Sequence, residues 1–598
     1  MKILSIYWGI CSSASLIIDK KVVASLHEER FTRTKNDDSF PQFAISEVLK
    51  IGNIDAQDLD AVAIASHYHP IDDNLLLKST WTIDDYLTEQ HERWKPFIYD
   101  NKPLRSILEI FPSKKKMGYP SNYSDSLKGL STSERQDKYN IDRKKILADF
   151  LKIDQNKIRT IEHHRCHAYY SYYMSDFKGK ETLSFTIDGA GDGKNATIGI
   201  FDKDGTYKTV FETNECNIGR IYRYITLVLG MKPNEHEYKV MGLAPYGKEK
   251  HSLKALEAFR NTLYVDGIEF KWKEKPKDSY FWFKEKLEGV RFDNVAFALQ
   301  KWVEEVLTDW VKNAVNKFGI SNIILSGGVA MNIKAMGKIS ELPEVQNIFV
   351  GGSSSDESMA ISAGICLYED LIREKKETWK SSDFQDIPNL YLGSEPTIVD
   401  EKELISKIDT SKFIILENPE LSIIAKYLYD GKILARCCGR MEFGQRALGN
   451  RSILADPLNV EAKEKINQAI KSRDFWMPFA PIILDEFEKK YIINPKNIKS
   501  PYMTIAFNTT DEGYNSMKAA AHPADKSVRA QVLNRSHNPD LYDLIQEFKK
   551  LSGRGSILNT SFNLHGYPIV STPDDAFDVF IRSGLDGLIL NHYLILKR

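Results

Sequence analysis

Short apolar runs separated by small and polar residues fill the first 30 positions of the chain. The runs ILSIYWG, SLIID and VVASLHEE predict three strands joined by tight turns. The same order recurs about 180 residues further on, where LSFTID, ATIGIFD and TYKTVFET flank a glycine turn and a Lys-Asp-Gly turn. This internal repeat predicts two β-meanders, each followed by helices, and hence twin α/β subdomains that face a cleft.

The clearest helical pattern is DNVAFALQKWVEEVLTDWVKNAVNKFG, residues 293–319. Trp302 and Trp310 fall on its apolar face, which favours a position in the core over a role in binding a cofactor. Asp293 is suited to cap the start of this helix, and Gly319 is suited to cap its end.

Two other segments interrupt the pattern. Residues 72–145 form a polar, aromatic-rich and mostly helical insertion, for which a solvated loop is the favoured interpretation and a substrate lid is the alternative. Residues 374–397 are charged, polar and punctuated by proline, as is typical of a linker. We therefore predict a first domain over residues 1–390 and a second over residues 395–598.

Charge and composition narrow the class of protein. The 598 residues include 81 Lys+Arg and 82 Asp+Glu, so the net charge is −1, which excludes a generic polyanion binder and requires any cationic site to be local. Six cysteines are too few for a disulfide scaffold and favour a cytoplasmic location. No run approaches the ~18–20 apolar residues of a membrane span, and the first residues fit strands better than a signal peptide.

Two histidines and two aspartates form a candidate metal site. His163 and His167 are four residues apart in IEHHRCHAYYSYY, so on a helix their imidazoles share one face. Asp188 ends a predicted strand at a glycine turn, and Asp356 precedes a predicted helix. Two imidazoles and two carboxylates suit Fe(II), Mn or Zn. For the histidine pair taken alone, a structural role in the core is the alternative.

A second candidate site is the strand-to-helix turn in IILSGGVAMN. Gly327 and Gly328 allow backbone N–H groups to approach a phosphate, whose charge the start of a helix favours. Asn332, one turn further on, could face the same ligand. A turn with no ligand is an equally open interpretation of this motif.

The last 200 residues concentrate cations among glycines and short amides. Guanidinium groups bind phosphates through paired hydrogen bonds, so a pocket for several phosphates or carboxylates is favoured, and solvated arginines in salt bridges are the alternative. The candidate side chains are Arg440, Arg446, Lys471, Arg473 and Arg529, followed by Asn559, Ser561 and Asn563 at the end of a predicted strand.

Seven motifs together resemble the NodU-type O-carbamoyltransferases, which include nodulation-factor, cephamycin and tobramycin carbamoyltransferases. They are EERFTR, HHRCHA, KVMGLAPYG, SGGVAMN, GRMEFGQRALGNRSILADP, MPFAP and NTSFNLHGYPIV. They extend over nearly the whole chain, and the long arginine- and glycine-rich motif is highly specific.

This resemblance implies an enzyme of two α/β domains. The first, of the duplicated ASKHA type, is similar to tRNA threonylcarbamoyladenosine transferase, and the second is YrdC-like. In such enzymes the YrdC-like domain makes carbamoyl-adenylate from the co-substrates carbamoyl phosphate and ATP. The ASKHA-type domain, with a divalent metal, then passes the carbamoyl group to an acceptor hydroxyl. The metal would be Fe(II), with Mn, Zn or Mg as alternatives.

The resemblance also assigns roles to residues. His163, His167, Asp188 and Asp356 correspond to the metal ligands. The adenylate-forming pocket would include Lys471, Arg473, Arg529 and Ser561, with Arg440 and Arg446 nearby.

The chain departs from the family pattern at two positions. Cys11, whose thiol is itself a candidate catalytic group, stands in the turn where the family usually has His-Asp, and Asn36 stands where it has a histidine after Lys35. Three explanations are open. The acceptor could be unusual, such as an amine; His164 or another group could supply the missing base; or only adenylate formation could be retained.

The leading hypothesis is therefore a cytoplasmic carbamoyltransferase acting on a small-molecule natural product or sugar, with no membrane or nucleic-acid partner and with a homodimer possible by resemblance. Threonylcarbamoylation of tRNA is a second hypothesis, which the near-neutral charge disfavours. A nucleotide-dependent sensor or chaperone is a third, but it leaves the His pair and the arginines without a role.

Overall fold

The computed structural model describes residues 1–68, 71, 75–116, 125–127, 129–471 and 474–598. The chain divides into two compact units, Met1–Ile387 and Pro388–Arg598. The change of domain predicted near residue 395 falls within the first residues of the second unit.

The first unit begins with a sheet of five strands in the order β3-β2-β1-β4-β5. Strands β1, β2 and β3 form an antiparallel meander, and β4 and β5 continue the sheet in parallel on the other side of β1. The strands are β1 Lys2–Tyr7, β2 Ser13–Ile18, β3 Lys21–His27, β4 Ala61–Ala65 and β5 Ile158–Ile161. Strands β1, β2 and β4 are almost entirely buried, as expected for apolar runs with helices against the sheet.

A second sheet repeats this topology. Its order is β12-β11-β6-β7-β8, so β6 occupies the place of β1, with an antiparallel meander on one side and two parallel strands on the other. The strands are β6 Thr182–Gly191, β7 Lys194–Phe201, β8 Tyr207–Thr213, β11 Asn322–Ser326 and β12 Asn347–Val350, and a separate hairpin pairs β9 Leu263–Asp266 with β10 Glu269–Trp272. The predicted duplication is confirmed.

Two helices form the layer between the sheets. The later one, Met359–Glu374, packs on β1, β2 and β4, while His163–Met174 packs on β6 and β11, and the two helices pack on each other. In chain order the main helices of this unit are α1 Gln42–Gly52, α2 Thr132–Leu151, α3 His163–Met174, α4 Ile218–Val228, α5 Phe292–Phe318, α6 Ile333–Glu341 and α7 Met359–Glu374. Shorter helices cover Glu29–Thr32, Ile83–Thr88, Lys95–Tyr99, Ile107–Ile110, Glu237–Leu243, Glu249–Arg260 and Phe281–Lys286.

Helix α5 shows one confirmed and one wrong capping prediction. Trp302 and Trp310 are buried in the core, and Gly319 ends the helix in the left-handed conformation with φ 70°. The helix begins earlier than predicted, with Arg291 at the N-cap, so Asp293 lies inside the first turn, where it pairs with the Arg291 side chain.

The insertion between β4 and β5 is packed rather than solvated. Trp81 and Ile107 are at most 1 % exposed and belong to an apolar cluster that also contains Leu227 of α4 and Tyr280. For the described part of residues 72–145, the solvated-loop interpretation is therefore wrong, because these residues have a core of their own.

The second unit is built on one mixed sheet of eight strands, in the order β13-β20-β19-β14-β15-β18-β16-β17. The strands are β13 Phe413–Glu417, β14 Leu434–Cys437, β15 Arg451–Ala455, β16 Ala480–Leu484, β17 Gln531–Leu533, β18 Ser556–Ser561, β19 Gly587–Leu590 and β20 Tyr593–Lys597. The main helices are α8 Leu421–Tyr429, α9 Pro539–Ser552 and α10 Pro573–Ile581, with shorter ones at Ile398–Ser406, Val460–Lys465, Glu488–Tyr491 and Asp511–Ser516.

The predicted fold class is thus confirmed: a duplicated α/β unit is followed by a second α/β unit. Among the described residues, no helix combines the length and apolarity needed to span a lipid bilayer.

Candidate metal centre

Helix α3 presents the two predicted histidines side by side. It starts at His163, where Glu162 at the N-cap accepts a hydrogen bond from the Arg165 N–H. His163 and His167 are one turn apart, both are at most 3 % exposed, and their Nε2 atoms are 3.2 Å apart. The predicted helical spacing is confirmed, and both Nε2 atoms face the same point.

Two carboxylates from separate elements meet these imidazoles. Asp188 lies on β6, and Asp356 begins the single helical turn that leads into α7. Asp188 Oδ2 is 3.1 Å from His167 Nε2 and 3.7 Å from His163 Nε2. Asp356 Oδ1 is 3.4 Å and 3.9 Å from the same two atoms. One ligand atom from each of the four residues lies within 4.8 Å of all the others, and we call this cluster the His/Asp centre.

The surroundings of the centre fit a bound cation. Asp356 Oδ2 accepts a 2.6 Å hydrogen bond from the Tyr7 hydroxyl, but its buried Oδ1 accepts none from the described residues. Gly191 leaves room for the imidazole, since a Cβ there would lie 2.1 Å from Cδ2 of His163. Two imidazoles, two carboxylates and an unused carboxylate oxygen are the donor set of a transition-metal site.

The ring nitrogens that face away from the centre have serine partners. Ser66 Oγ is 2.9 Å from His163 Nδ1, and Ser326 Oγ is 3.4 Å from His167 Nδ1. A hydrogen bond of this kind selects the tautomer whose Nε2 lone pair is available to a metal.

The four groups shift one another's pKa values. Burial alone would lower the pKa of His167, but the adjacent Asp188 and Asp356 carboxylates raise it to about 9. The pKa of His163 is also raised, against the effect of burial, by the same carboxylates. Burial opposes the ionisation of Asp188, yet the imidazoles hold its pKa well below the usual range. The pKa of Asp356 is raised by burial and by the Asp188 carboxylate. The two carboxylates thus require positive charge between the imidazoles, which a proton or a metal cation can supply.

His164 and Cys11, the other residues predicted around this centre, contact different neighbours. His164 is 1 % exposed and turns its Nδ1 to Thr186 Oγ1 at 2.7 Å, and burial holds its pKa well below the usual range. Cys11 lies in the β1–β2 turn with φ 65°, and its thiol lies 3.4 Å from Asn36 Oδ1. The two positions at which the chain departs from the family pattern are therefore in contact. The predicted roles of Cys11 and His164 stay predictions.

The glycine turn after β11 lies next to the His/Asp centre. Gly327 has φ 95°, which a side chain would not tolerate, and the Gly328 N–H is 3.3 Å from Asp188 Oδ2. Asn332 caps α6 through the Ala335 N–H and exchanges two hydrogen bonds with Gln300. Its side chain thus has a structural task, and the proposed contact of this turn with a phosphate stays a prediction.

In the second unit, the predicted arginines hold loops. Arg440 donates to the carbonyl oxygens of Leu392 and Gly393, and Arg446 donates to that of Met503. Arg451 is fully buried and donates only to carbonyl oxygens, including those of Cys438, Gly439 and Ser571. The pocket for phosphates or carboxylates that was predicted around Arg440 and Arg446 stays a prediction.

The remaining predicted residues of the second unit surround β18. Asn559 donates to Ala447 O, while Ser561 donates to Asn563 Oδ1 and Asn563 donates to Tyr567 O. Arg529 follows Val528, whose backbone pairs with that of Phe507. Arg473 and the side chain of Lys471 lie outside the described residues. Their assignment to an adenylate-forming pocket stays a prediction.

Sequence reasoning missed Tyr7, Ser66 and Ser326. The repeat contained a usable signal for Tyr7. Tyr7 ends β1, Asp188 lies in the last part of the equivalent strand β6, and the two subdomains were expected to face one cleft. No local pattern marks the serines, whose partners are 97 and 159 residues away.

Comparison with known proteins identifies the class. The family model described as Carbamoyltransferase N-terminus matches residues 2–365, and the model described as Carbamoyltransferase C-terminus matches residues 425–597. The chain therefore belongs to the carbamoyltransferase family, as the motifs predicted, and it is a transferase.

Two of three similar proteins cover nearly the whole chain. Uncharacterized protein MJ1058 of Methanocaldococcus jannaschii is 30% identical over 100% of both chains. Nodulation protein NolNO of Sinorhizobium fredii is 28% identical over 98% of this chain and 79% of its own. The 3'-hydroxymethylcephem-O-carbamoyltransferase of Amycolatopsis lactamdurans is 28% identical over 45% of this chain and 48% of its own.

Proposed function

We propose that this carbamoyltransferase works in two ATP-dependent stages. In the first, carbamoyl phosphate and ATP give carbamoyl-adenylate. The atoms balance if one water releases phosphate from carbamoyl phosphate and the resulting carbamate oxygen displaces pyrophosphate from the α-phosphorus of ATP. In the second, a hydroxyl group of a small natural product or sugar attacks the carbamoyl carbon and AMP leaves. In an alternative form of this second stage, an amine of the acceptor takes the place of the hydroxyl group.

The observation that carries the proposal is the His/Asp centre in a chain of this family. Four ligand atoms converge from α3, β6 and the turn before α7, which are separate in sequence, and a buried carboxylate oxygen is left over. We propose that His163, His167, Asp188 and Asp356 hold a divalent metal, Fe(II) first and Mn, Zn or Mg as alternatives. When bound, it would act as a Lewis acid that polarises oxygens of the carbamoyl-adenylate.

The chain's own residues would do the rest of the transfer. Tyr7 holds Asp356 in place through its 2.6 Å hydrogen bond. Burial and the two carboxylates raise the pKa of Tyr7 well above its usual value, so its hydroxyl remains a donor at neutral pH. The β1–β2 turn with Cys11 adjoins Tyr7 and Asn36, and we propose that the acceptor is oriented there. Exclusion of water from this buried site would protect the reactive mixed anhydride.

We assign adenylate formation to the second unit. Lys471, Arg473, Arg529 and Ser561 match the family's pocket by position in the motifs. Cations there would offset repulsion between the carbamate and the phosphates of ATP.

The test is release of pyrophosphate from carbamoyl phosphate and ATP by the purified chain. We expect release that Lys471→Ala abolishes and His163→Ala retains, because the metal centre serves the second stage. Metal analysis should find one transition metal per chain, and His163→Ala should lose it. Absence of pyrophosphate, or equal release by Lys471→Ala and the unaltered chain, would refute the proposal.

A further inference from the structure

The residue behind the His163 ring has a strained backbone. Ser66 follows β4 with φ 70°, a conformation that non-glycine residues rarely adopt. It is 1 % exposed, and its Oγ is the group 2.9 Å from His163 Nδ1. Strain of this kind persists only where the surroundings impose it, so the contacts that hold Ser66 indicate what the strain serves.

Those contacts come from α2, at the end of the insertion. The Arg143 Nη2 donates to the Ser66 carbonyl oxygen at 3.0 Å. Gln136 and Asn140, on the same face of α2, each donate to the His67 carbonyl oxygen at 2.9 Å. Three side chains of one helix thus hold two consecutive carbonyl groups next to the His163 ring.

The hairpin β6–β7 holds the same segment from the other side. Asp192 accepts hydrogen bonds from the His67 N–H at 3.0 Å and from the His163 N–H at 2.7 Å. One carboxylate therefore ties the Ser66–His67 segment to the first residue of α3. Together with α2, it determines both the position of Ser66 Oγ and the start of the helix that carries the imidazole.

Arg143 is costly for the fold, which argues against a purely stabilising role. Its side chain is fully buried, and no carboxylate of the described residues pairs with it. Within the described chain its Nε and Nη1 have no hydrogen-bond acceptor, and its remaining neighbours are Asn140 Oδ1 and the face of the Tyr139 ring. Burying a cation that has no carboxylate partner among the described residues is unfavourable, and a hydrophobic side chain of similar size would stabilise this position more.

We infer that Arg143 and Ser66 are positioning residues for the metal centre. Arg143 holds the strained Ser66 backbone, and Ser66 accepts the His163 Nδ1–H, which keeps the Nε2 lone pair directed at Asp188 and Asp356. The inference rests on the metal of the proposed function. It makes the helical insertion a part of the centre, through a helix that supplies none of its four ligands.

The experiment compares cation affinity among variants of the full chain. We would titrate metal-free protein with Co²⁺, whose visible spectrum reports ligand geometry, for Arg143→Met, Ser66→Ala and Ser66→Gly. Removing a hydrogen-bonded partner of a metal-ligating histidine typically weakens binding by about 10–100-fold, and we expect that loss and an altered spectrum in all three. Ser66→Gly relieves the strain but lacks the hydroxyl, so it should unfold at a higher temperature than Ser66→Ala while binding Co²⁺ as weakly.

Two matched controls separate positioning from general destabilisation. Lys144→Met changes the neighbouring residue of α2, and Ser184→Ala removes another buried hydroxyl, on β6. Both should bind Co²⁺ as the unaltered chain does.

Unaltered affinity and spectrum in Arg143→Met, or in Ser66→Ala should Arg143→Met not fold, would overturn the inference. If even the unaltered chain binds no Co²⁺, the metal part of the proposed function fails instead. The orientation of the His163 ring in a crystal structure of Ser66→Ala then decides the positioning role: a rotated ring supports it, and an unmoved ring overturns it.

Discussion

The His/Asp centre of the first unit and the arginine- and glycine-rich motif of the second, residues 439–457, use their polar atoms in opposite ways. At the centre, four side chains from three elements converge and leave a buried oxygen of Asp356 without a donor. In the motif, Arg440 and the β15 residue Arg451 donate to backbone carbonyl oxygens of their own unit. Both regions were predicted from the sequence as candidate sites. Convergence of different ligand types on one point indicates a site, whereas a high density of one charged residue type also serves to hold irregular backbone in place.

The largest expected effect is the loss of stability on replacing Arg451, and its absence would contradict this comparison. Arg451→Met leaves several buried carbonyl groups without donors, and we expect a loss of about 3–5 kcal/mol in the free energy of unfolding of the second unit. Denaturant unfolding measures it. Arg535→Ala, which removes an exposed pair with Asp543, should cost at most ~1 kcal/mol. If the two variants are equally stable, Arg451 is not a structural residue and the contrast between the two regions fails.

A pair of glycine variants tests the His/Asp centre. Gly191→Ala places a Cβ 2.1 Å from the His163 ring, whereas a Cβ at Gly189 meets nothing within 4 Å. We expect Gly191→Ala to weaken Co²⁺ binding about 10–100-fold by displacing the imidazole, and Gly189→Ala to leave it unchanged. Isothermal titration measures both. Equal affinity of the two variants would mean that the position of His163 does not limit binding.

A pH-dependent effect tests whether a shifted pKa alone marks a site. Glu28 is fully buried, and it accepts hydrogen bonds from the Phe43 and Ala44 N–H groups at the start of α1. Burial raises its pKa to about 7. The folded chain therefore holds this proton where the unfolded chain has lost it, and stability falls as pH rises from about 4.5 to about 7.

Glu28→Gln has no such proton to lose. Its free energy of unfolding should rise relative to that of the unaltered chain by about 1.4 kcal/mol per pH unit between pH 5 and 7, and the difference should be constant above pH 8. Denaturant unfolding at several pH values gives the slope. A flat difference would show that Glu28 is ionised in the folded chain. Co²⁺ binding should not change, because this buried carboxyl belongs to the fold and not to the centre.

The sequence predicted well what local patterns encode. The repeat of strands and glycine turns gave the duplicated topology, and the spacing of His163 and His167 gave their shared helix face. Asp188 and Asp356 could be predicted because both stand where a strand or loop meets a glycine- or serine-rich turn. The helix start at Arg291 was missed, because Asp293 is a good capping residue in general but here pairs with Arg291 instead.

What local patterns do not encode is the partner of a side chain. Nothing in the residues around Arg440 distinguishes a guanidinium that faces a phosphate from one that faces a carbonyl oxygen. The hydrogen bond from Tyr7 to Asp356 spans 349 residues, and the buried Arg143 looks like one more cation of a charged helix. These contacts depend on how segments that are distant in the sequence pack, which only the folded chain determines.

The distances along the chain between the four ligands also set an order of events during biosynthesis. Asp356 is translated about 190 residues after His163, which takes roughly 10–40 s at ordinary rates of synthesis. A growing chain that ends before Asp356 has two imidazoles and one carboxylate but no complete centre. A cation that needs all four side chains can bind only after that point, with residues 357–598 still to be added, so the proposed metal would enter during the rest of translation or after it.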